Sequence, residues 1–364
     1  MTTNHKINHK TFALLALFFV LCFNQLLATG TNFVYTDVRS FEVLGQLPGI
    51  TNFARLPNTA KDKVSNEIWS LSRHSTGVCI KFVTNSPAIK VKWTTTYNPS
   101  TYDMVLTGLR GVDLYCNVNK KWQYVNTAKF ESRYNEELML ENADSTFKEY
   151  MLILPSYDEI ATAEIGIIDR FSIKKPDTKI SATPPIVIYG TSITQGAAAS
   201  RPGSSYTSLL ARALNKNVIN LGFSGNGKFE KVFADYMVSA KPALIILDCT
   251  PNSNPEEIKK NLPELINAIR AKDEKVPILL IESLMRENAY FNKTLKAAVQ
   301  NQNNTLKQTY NELNKQGVKG LHYLASEKLV GDDHEGTSDG THPNDLGHYR
   351  FFIEVKKKLD EILK

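Results

Sequence analysis

Cysteine is scarce in this chain, and its spacing is unsuited to a structural metal site. The 364 residues include only Cys22, Cys79, Cys116 and Cys249, and no two of them form a C-x-x-C pair. A structural zinc site is therefore not expected. Cys79 and Cys116 either pair as a disulfide or lie buried as small apolar side chains, and the second interpretation is favoured.

The chain also lacks a cluster of basic residues. Its formal net charge is +6, but the lysines and arginines are scattered along the sequence without a polybasic arm. A nucleic-acid partner is therefore not expected. Long apolar runs are missing as well, because no segment after the N-terminus is long and apolar enough to span a membrane.

The N-terminus has the pattern of a secretory signal peptide. Lys6 and Lys10 precede an apolar run over residues 12–23, and Ala28 is a small residue suited to cleavage. The apolar run is shorter than the roughly 20 residues of a membrane span, although an uncleaved anchor is the alternative. We predict a signal peptide over residues 1–28 and export to the periplasm, the cell surface or the medium. No stable membrane insertion is expected after cleavage.

Residues 31–178 have the rhythm of a β domain. Apolar and polar residues alternate over residues 78–97 on both sides of Asn85-Ser86-Pro87, which predicts a β-hairpin. Residues 111–130 repeat the pattern around residues 117–121, which predicts a second hairpin. Short strands separated by polar turns predict an N-terminal β-sandwich or jelly-roll domain.

Residues 183–364 have a different rhythm, after a polar, proline-rich linker. Five continuous apolar runs alternate with helical stretches, and continuous runs are typical of strands covered on both faces. We predict an α/β domain with a five-stranded parallel sheet in a flavodoxin-like α/β/α sandwich. The predicted strands are 186–189, 218–221, 243–247, 277–282 and 320–324, and the predicted helices are 204–214, 229–239, 255–272, 290–316 and 343–363.

In such a sheet the chemistry gathers at the carboxyl ends of the strands. Ser192 follows the first strand after Gly190-Thr191, so it is either a nucleophile or a helix cap. Gly225 lies in the glycine-rich loop 220–227 after the second strand, where an exposed backbone N–H can stabilise an oxyanion. Asn252 follows the third strand and offers a side-chain amide, unless it caps the next helix.

Asp339 and His342 follow the last strand and stand three residues apart before the terminal helix. A carboxylate at this spacing can orient an imidazole that acts as a general base toward Ser192. His334 is an alternative base, and His348 is interpreted as a packing or surface residue. A metal site formed by Asp332, Asp333, His334, Asp339 and His342 is a further alternative, but its spacing matches no usual ligand set.

The order of these residues resembles the SGNH (GDSL-like) esterase superfamily over residues 183–364. Its four named residues would fall on Ser192, Gly225, Asn252 and His342, with Asp339 completing a triad, and "DGTHPNDLGH" is the most specific match. Gly222 and Gly227 are neighbouring alternatives for the glycine. The family's usual Gly-Asp-Ser is Gly-Thr-Ser here, and its Gly-x-Asn-Asp is Cys-Thr-Pro-Asn. A subfamily that carries both changes has an N-terminal β domain with a Gly-x-Asp-Leu-Tyr signature, which matches residues 111–115.

The resemblance implies a serine esterase that needs no metal or organic cofactor. Ser192 would be the nucleophile, His342 the base and Asp339 its support, while the N–H groups of Ser192 and Gly225 and the amide of Asn252 would hold the oxyanion. Two-domain relatives often remove acetyl groups from polysaccharides, so the expected partner is an acetylated carbohydrate. The exposed faces of Trp93, Tyr97, Tyr102 or Trp122 are candidate sugar contacts, although strand aromatics usually pack in the core.

Two other functions remain open at this point. The same mechanism suits a lipid, thioester or peptidoglycan acyl ester. An inactive hydrolase fold that only binds glycan is the alternative from another class of protein. The sequence leaves the oligomeric state open.

Overall fold

The structure is a computed structural model that describes residues 32–96 and 104–364. The predicted signal peptide lies outside these residues, as do Cys22, Tyr97 and Tyr102. Ten strands form two antiparallel sheets in the first half of the described chain, and five strands form one parallel sheet in the second half.

The β domain is a sandwich of two antiparallel sheets, which confirms the predicted class. The first sheet has the order β1-β9-β4-β7, and the second has the order β10-β3-β8-β5-β6 with β2 beside β3. A shared core of inward-facing side chains from both sheets lies between them, including Val91 and Trp93 from the first and Ile80 and Leu152 from the second. The strands are β1 Phe33–Asp37, β2 Glu42–Leu44, β3 Cys79–Thr84, β4 Ile89–Thr95, β5 Val112–Val118, β6 Lys121–Ala128, β7 Tyr134–Leu140, β8 Lys148–Ile153, β9 Ile160–Ile168 and β10 Ile173–Lys174. Two short helices accompany them, α1 Asn66–Ser72 and α2 Leu106–Arg110.

One of the two predicted hairpins forms and the other does not. β5 and β6 pair directly, and the turn between them places Asn119 and Lys120 at φ of 51° and 64°, as a tight hairpin turn requires. In contrast, β3 and β4 belong to different sheets: β3 pairs with β8, and β4 pairs with β7 and β9. The hairpin prediction over 78–97 was wrong because alternation indicates only that one face of each strand is buried. Strands in either sheet of a sandwich meet this condition, so alternation does not show that two consecutive strands pair.

The parallel sheet has the order β12-β11-β13-β14-β15, which is the flavodoxin-like arrangement. All four pairings between neighbouring strands are parallel, with Gly190 of β11 opposite Gly222 of β12 and Asp248 of β13. The strands are β11 Ile186–Gly190, β12 Val218–Gly222, β13 Leu244–Asp248, β14 Ile278–Ile281 and β15 Leu321–Leu324. The helices are α3 Ser192–Gln195, α4 Tyr206–Leu214, α5 Phe233–Ser239, α6 Pro255–Arg270, α7 Lys293–Lys315 and α8 Asp345–Ile362.

Helices cover both faces of this sheet, so its central strands are buried throughout. On one face the core contains Val187 and Leu247 packed against α5 and α6, and on the other it contains Ile188 and Ile246 packed against α4 and α8. None of the helices in the described residues combines the length and apolar composition needed to cross a membrane. The loops that follow the strands all leave the sheet at its carboxyl edge.

The cysteines of the described chain are all free thiols. Cys79 and Cys116 are buried in the β domain without a bond between them, and Cys249 is buried directly after β13. A disulfide between Cys79 and Cys116 is therefore absent, and the favoured interpretation of small buried side chains is correct.

Candidate active site

A sharp turn after β11 places Ser192 at the carboxyl edge of the sheet. A Cβ on Gly190 would lie 2.1 Å from Thr194 Oγ1 and 2.7 Å from the Asp248 carbonyl oxygen, so glycine is needed for this close packing. Thr191 is the N-cap of α3, and its hydroxyl accepts a hydrogen bond from the Ile193 N–H. Ser192 is the first residue of the helix, so the interpretation of Ser192 as a helix cap is wrong.

The structure joins Ser192, His342 and Asp339 in one chain of hydrogen bonds. Ser192 Oγ lies 2.9 Å from His342 Nε2, and His342 Nδ1 lies 2.7 Å from Asp339 Oδ2. Because the carboxylate can only accept, the imidazole proton sits on Nδ1 and leaves Nε2 free to accept the serine proton.

Backbone donors hold Asp339 in this position. Its Oδ1 accepts the N–H groups of Thr341 and His342 at 2.9 and 2.7 Å. Partial burial raises the pKa of Asp339, but these N–H groups and the imidazole outweigh it, so the pKa lies below its ordinary value. The carboxylate is therefore ionised when it faces the ring.

The two rival histidines make other contacts. His348 is buried in α8, where its Nδ1 accepts the Tyr206 N–H and its Nε2 donates to the Ala197 carbonyl, and burial lowers its pKa to about 4. His334 bonds to Glu287 through Nδ1 at 2.8 Å. Neither forms a hydrogen bond to Ser192.

The acidic residues of the alternative metal site do not converge. Asp333 pairs with Arg350, while Asp339 faces His342. Within the described ranges, no group of three or more His, Cys, Asp or Glu side chains is placed to hold a metal ion.

The loop after β12 presents Gly225 to the open side of the site. Gly225 has φ of +71°, which glycine tolerates best, and an added Cβ would have no atom within 4 Å. By contrast, a Cβ on Gly222 would meet the Gln195 nitrogen at 2.3 Å, and one on Gly227 would meet the Gly190 carbonyl oxygen at 2.1 Å. Gly222 and Gly227 are therefore packing glycines, whereas Gly225 faces open space.

Two backbone donors near this loop are unused. Among residues 32–96 and 104–364, neither the Ser192 N–H nor the Gly225 N–H has a hydrogen-bond acceptor. Such unsatisfied donors at a helix start and a tight turn are suited to an oxyanion.

Asn252 reaches across to the same loop from the end of β13. Its Nδ2 donates to the Asn226 carbonyl oxygen at 2.5 Å, and because an amide nitrogen carries two hydrogens, this bond uses one of them. The N-cap of α6 is Asn254, in a capping box with Glu257. The interpretation of Asn252 as that cap is therefore wrong.

A buried carboxyl group that the sequence analysis did not single out lies beneath the Ser192 turn. Asp248 is 1% exposed, and its Oδ2 accepts hydrogen bonds from Thr194 Oγ1 at 2.7 Å and Tyr206 Oη at 2.9 Å. Burial raises its pKa to about 7, although both hydroxyl donors oppose the shift. In the sequence, Asp248 directly follows the apolar run 243–247 of a predicted strand, and a carboxylate at that position could have been recognised as a candidate site residue.

The Gly-x-Asp-Leu-Tyr signature of the β domain forms hydrogen bonds with the segment that follows α3. Asp113 is fully buried, and its Oδ2 accepts the Gly203 N–H at 2.9 Å and Arg201 Nη1 at 2.8 Å. The Tyr115 hydroxyl also accepts from Arg201. The signature is thus a clamp between the two domains.

A serine, an imidazole and a carboxylate joined at the carboxyl edge of a parallel sheet, beside unused N–H donors, define a serine-type ester hydrolase. The GDSL-like lipase/acylhydrolase family model matches residues 183–360, and the model for the N-terminus of SGNH hydrolase-type esterases, which carries the GxDLY name, matches residues 33–173. The chain belongs to the GDSL-like lipase/acylhydrolase family. This confirms the resemblance seen in the sequence.

Solved structures agree with this assignment over both domains. A Bacteroides ovatus protein described as a GDSL-like lipase is 35% identical, with a TM-score of 0.87 over 91% of this chain and 98% of the other. The salicylyl-acyltransferase SsfX3 of a tetracycline biosynthetic pathway is 19% identical, with a TM-score of 0.71 over 92% and 96% of the chains. A family two carbohydrate esterase from Cellvibrio japonicus is 12% identical, with a TM-score of 0.60 over 91% and 98%. The last two show a shared fold. No functionally curated protein matches the chain.

Proposed function

We propose that this ester hydrolase is a carbohydrate O-acetyl esterase whose nucleophile is Ser192. The observation that carries the catalytic part is the Ser192–His342–Asp339 hydrogen-bond chain beside the unused N–H groups of Ser192 and Gly225. In this arrangement the serine hydroxyl can lose its proton to the imidazole. The carbonyl oxygen of a bound ester could at the same time accept hydrogen bonds from the two N–H groups.

In the proposed first step, Ser192 Oγ attacks the ester carbonyl carbon while His342 Nε2 takes the hydroxyl proton. The negative charge that forms on the carbonyl oxygen is held by the N–H groups of Ser192 and Gly225 and by the second amide hydrogen of Asn252. The intermediate collapses to an acyl-serine, and His342 gives its proton to the departing sugar alkoxide. Asp339 stabilises the imidazolium in between.

A water molecule then reverses the roles. It gives a proton to His342 and attacks the acyl-serine carbonyl carbon. The bond to Ser192 Oγ then breaks, which releases acetic acid, and His342 returns the proton to Ser192 Oγ. Asp339 remains ionised throughout because of its lowered pKa. No step uses a group from outside the chain other than substrate and water.

The openness of the site supports a hydrophilic polymer as substrate. The side chains of His342 and Asp339 are 29% and 53% exposed, so a bulky leaving group can approach the triad from solvent. The shared two-domain fold of the Cellvibrio japonicus carbohydrate esterase supports the same substrate class. We therefore favour an acetylated polysaccharide or oligosaccharide over a lipid, thioester or peptidoglycan ester.

The aromatic residues first considered for sugar contact have other surroundings. Trp93 is 1% exposed in the sandwich core, so the alternative of core packing is correct for it, and Trp122 lies partly buried with Lys81 over its ring. Two other aromatics are exposed in the segment after β14, Tyr290 at 51%, with its ring against His334, and Phe291 at 94%. Their segment is joined to the Asp339 loop by the Glu287 N–H, which donates to the Gly340 carbonyl at 2.8 Å. We propose that these faces stack on a sugar ring.

We also propose export, with a signal peptide over residues 1–28, the β domain over 31–178 and the catalytic domain over 183–364. The composition of the N-terminal segment supports it. Expression of the full chain with N-terminal sequencing of the exported protein tests it, and a retained Met1 on an exported, membrane-bound product would contradict cleavage.

Hydrolysis of p-nitrophenyl acetate, butyrate and octanoate by the wild type and by Ser192→Ala tests the proposed function, followed by acetate release from acetylated polysaccharide. We expect acetate to be the best ester and Ser192→Ala to be inactive. Preference for octanoate would replace the acetyl esterase with a lipid acyl hydrolase. Inertness of the wild type on all of these substrates would favour a glycan-binding protein. Phe291→Ala should raise KM for the polysaccharide and leave the kinetics on p-nitrophenyl acetate unchanged. Tyr134→Ala, at another exposed aromatic residue, is the control.

A further inference from the structure

The loop that carries Gly225 is anchored at several points by side chains from outside it. The Asn252 amide donates to the Asn226 carbonyl at its far end. Near its start, the Ser224 N–H donates to Gln195 Oε1 at 3.0 Å. Ser224 directly precedes Gly225, so the bond to Gln195 holds the Phe223–Ser224 peptide unit, one unit before the unit that carries the proposed oxyanion donor.

Gln195 is the last residue of α3 and is fully buried. Because the Ser224 N–H can only donate, the oxygen of the Gln195 amide faces Ser224 and its nitrogen faces the other way. That nitrogen donates to the Ser156 carbonyl oxygen at 3.2 Å and to His74 Nδ1 at 3.2 Å. All of the polar atoms of this side chain are therefore engaged in one defined orientation.

Both partners of the Gln195 nitrogen belong to the β domain. Ser156 lies between β8 and β9, and His74 follows α1. Burial, followed by the nearby guanidinium groups of Arg55 and Arg110, lowers the pKa of His74 to about 3. The ring is therefore neutral at ordinary pH, and because the Gln195 amide nitrogen can only donate, Nδ1 is the ring nitrogen that accepts.

Arg55 adds a second anchor from the β domain. It is fully buried, its Nη1 donates to the carbonyl of Gly222, and its guanidinium lies 4.7 Å from the centre of the Phe223 ring. Its Nη2 and Nε donate to the backbone carbonyls of Leu71 and His74. A buried cation held by carbonyl oxygens is costly unless each donor is satisfied, so this arrangement defines the position of Gly222 closely.

Tyr157 brings a third β-domain side chain to the same place. Its hydroxyl lies 3.5 Å from the Ser192 carbonyl oxygen and 3.4 Å from Ser224 Oγ. The β domain thus contacts the loop on one side and the Ser192 helix on the other.

We infer that Gln195 is a positioning residue through which the β domain, by way of His74 and Ser156, holds the Gly225 loop in register with Ser192. This rests on the proposed oxyanion role of Gly225. Oxyanion donors act only when they are already oriented before charge develops, because reorientation during the reaction would cost the energy that they supply. The β domain is then part of the catalytic apparatus, in addition to any contact with substrate.

The test compares full-length Gln195→Met with the wild type. Methionine retains the length and packing volume of glutamine but can make none of the three hydrogen bonds. Kinetics are measured on whichever p-nitrophenyl ester the wild type cleaves best, so the outcome does not depend on the acetyl preference. Each rate is divided by the number of serines that a fluorophosphonate probe labels, which removes any loss due to misfolding.

We expect Gln195→Met to lower kcat per labelled site about 10- to 100-fold with KM changed less than about 3-fold, because the loop is displaced and no substrate contact is lost. His74→Leu, which removes the acceptor, should lower kcat in the same direction, and His74→Asn, which restores an acceptor oxygen, should recover most of it. Gln308→Ala, an exposed residue on α7, is the control.

Two results would overturn the inference. One is a wild-type kcat per labelled site in Gln195→Met, and the other is a loss that is explained fully by fewer labelled sites, as a purely structural role predicts. Equal activity in His74→Leu and His74→Asn would remove His74 from the chain of contacts. Failure of the proposed function itself would be visible separately, as inactivity of the wild type.

Discussion

Replacement of Asn252 separates oxyanion stabilisation from loop anchoring. In Asn252→Ala the bond to the Asn226 carbonyl is lost together with the second amide hydrogen, which is the proposed oxyanion donor. A lost hydrogen bond in a partly buried position costs about 1 kcal/mol of folding free energy. A lost oxyanion donor costs about 3 to 4 kcal/mol of transition-state stabilisation, or roughly 10²- to 10³-fold in kcat.

The kinetic effect should therefore exceed the stability effect, and it should fall on kcat. The substrate carbonyl carries no full charge before attack, so KM should change less than about 3-fold. Asn252→Asp should lose more activity than Asn252→Ala, because a carboxylate repels both the oxyanion and the Asn226 carbonyl.

The assay is ester hydrolysis per labelled serine, beside denaturant unfolding of each variant. Asn261→Ala is the matched control, because the Asn261 amide donates to the Lys228 carbonyl at 3.0 Å, the same kind of bond to a nearby part of the chain, and has no proposed role at the oxyanion. A loss that appears in KM, or an equal loss of kcat in Asn261→Ala, would refute the assignment of Asn252 as a donor.

Two further substitutions test the carboxyl groups of the site. Asp339→Asn should lower kcat about 10²- to 10⁴-fold with little change in KM, because an amide no longer selects the Nδ1–H tautomer or stabilises the imidazolium. Asp360→Asn on the surface is the control. A near-normal kcat in Asp339→Asn would show that His342 needs no carboxylate. Asp248→Asn should gain stability relative to the wild type as the pH rises. Asp248 keeps its proton up to a pKa of about 7 in the folded chain against 3.8 in the unfolded chain, so wild-type stability falls between these values, by at most about 4 kcal/mol. Urea unfolding of both proteins at about pH 5 and pH 8 measures this, and a stability difference that is independent of pH would contradict the buried, protonated state of Asp248.

The sequence by itself determined the class of both domains. The strands of the parallel sheet are continuous apolar runs because both of their faces are covered, and each observed strand lies within about two residues of its predicted bounds. The sheet edge then follows from chain order, since every parallel strand ends on the same side. For this reason Ser192, Gly225, Asn252, Asp339 and His342 could be selected before any coordinates were known.

The contact between Asp339 and His342 also follows from local chemistry. A carboxylate three residues before a histidine can accept that residue's backbone N–H and its ring at once, as the observed bonds at 2.7 Å show. The turn between β5 and β6 is likewise local, because the two residues with positive φ lie between directly paired strands.

Only the tertiary structure decided which partners meet across long distances. Alternation marks β3 and β4 as half-buried but carries no information on which sheet each joins, so the hairpin prediction failed there. The sequence leaves Gly222 and Gly227 as alternatives to Gly225, and the structure separates the three by what a Cβ at each position would touch. Gln195, His74 and Arg55 meet at the Gly225 loop from positions up to 167 residues apart, through hydrogen bonds that no local pattern encodes. Periodicity indicates which face of a helix or strand is buried. A hydrogen bond between distant side chains depends instead on how the folded helices and strands pack against one another.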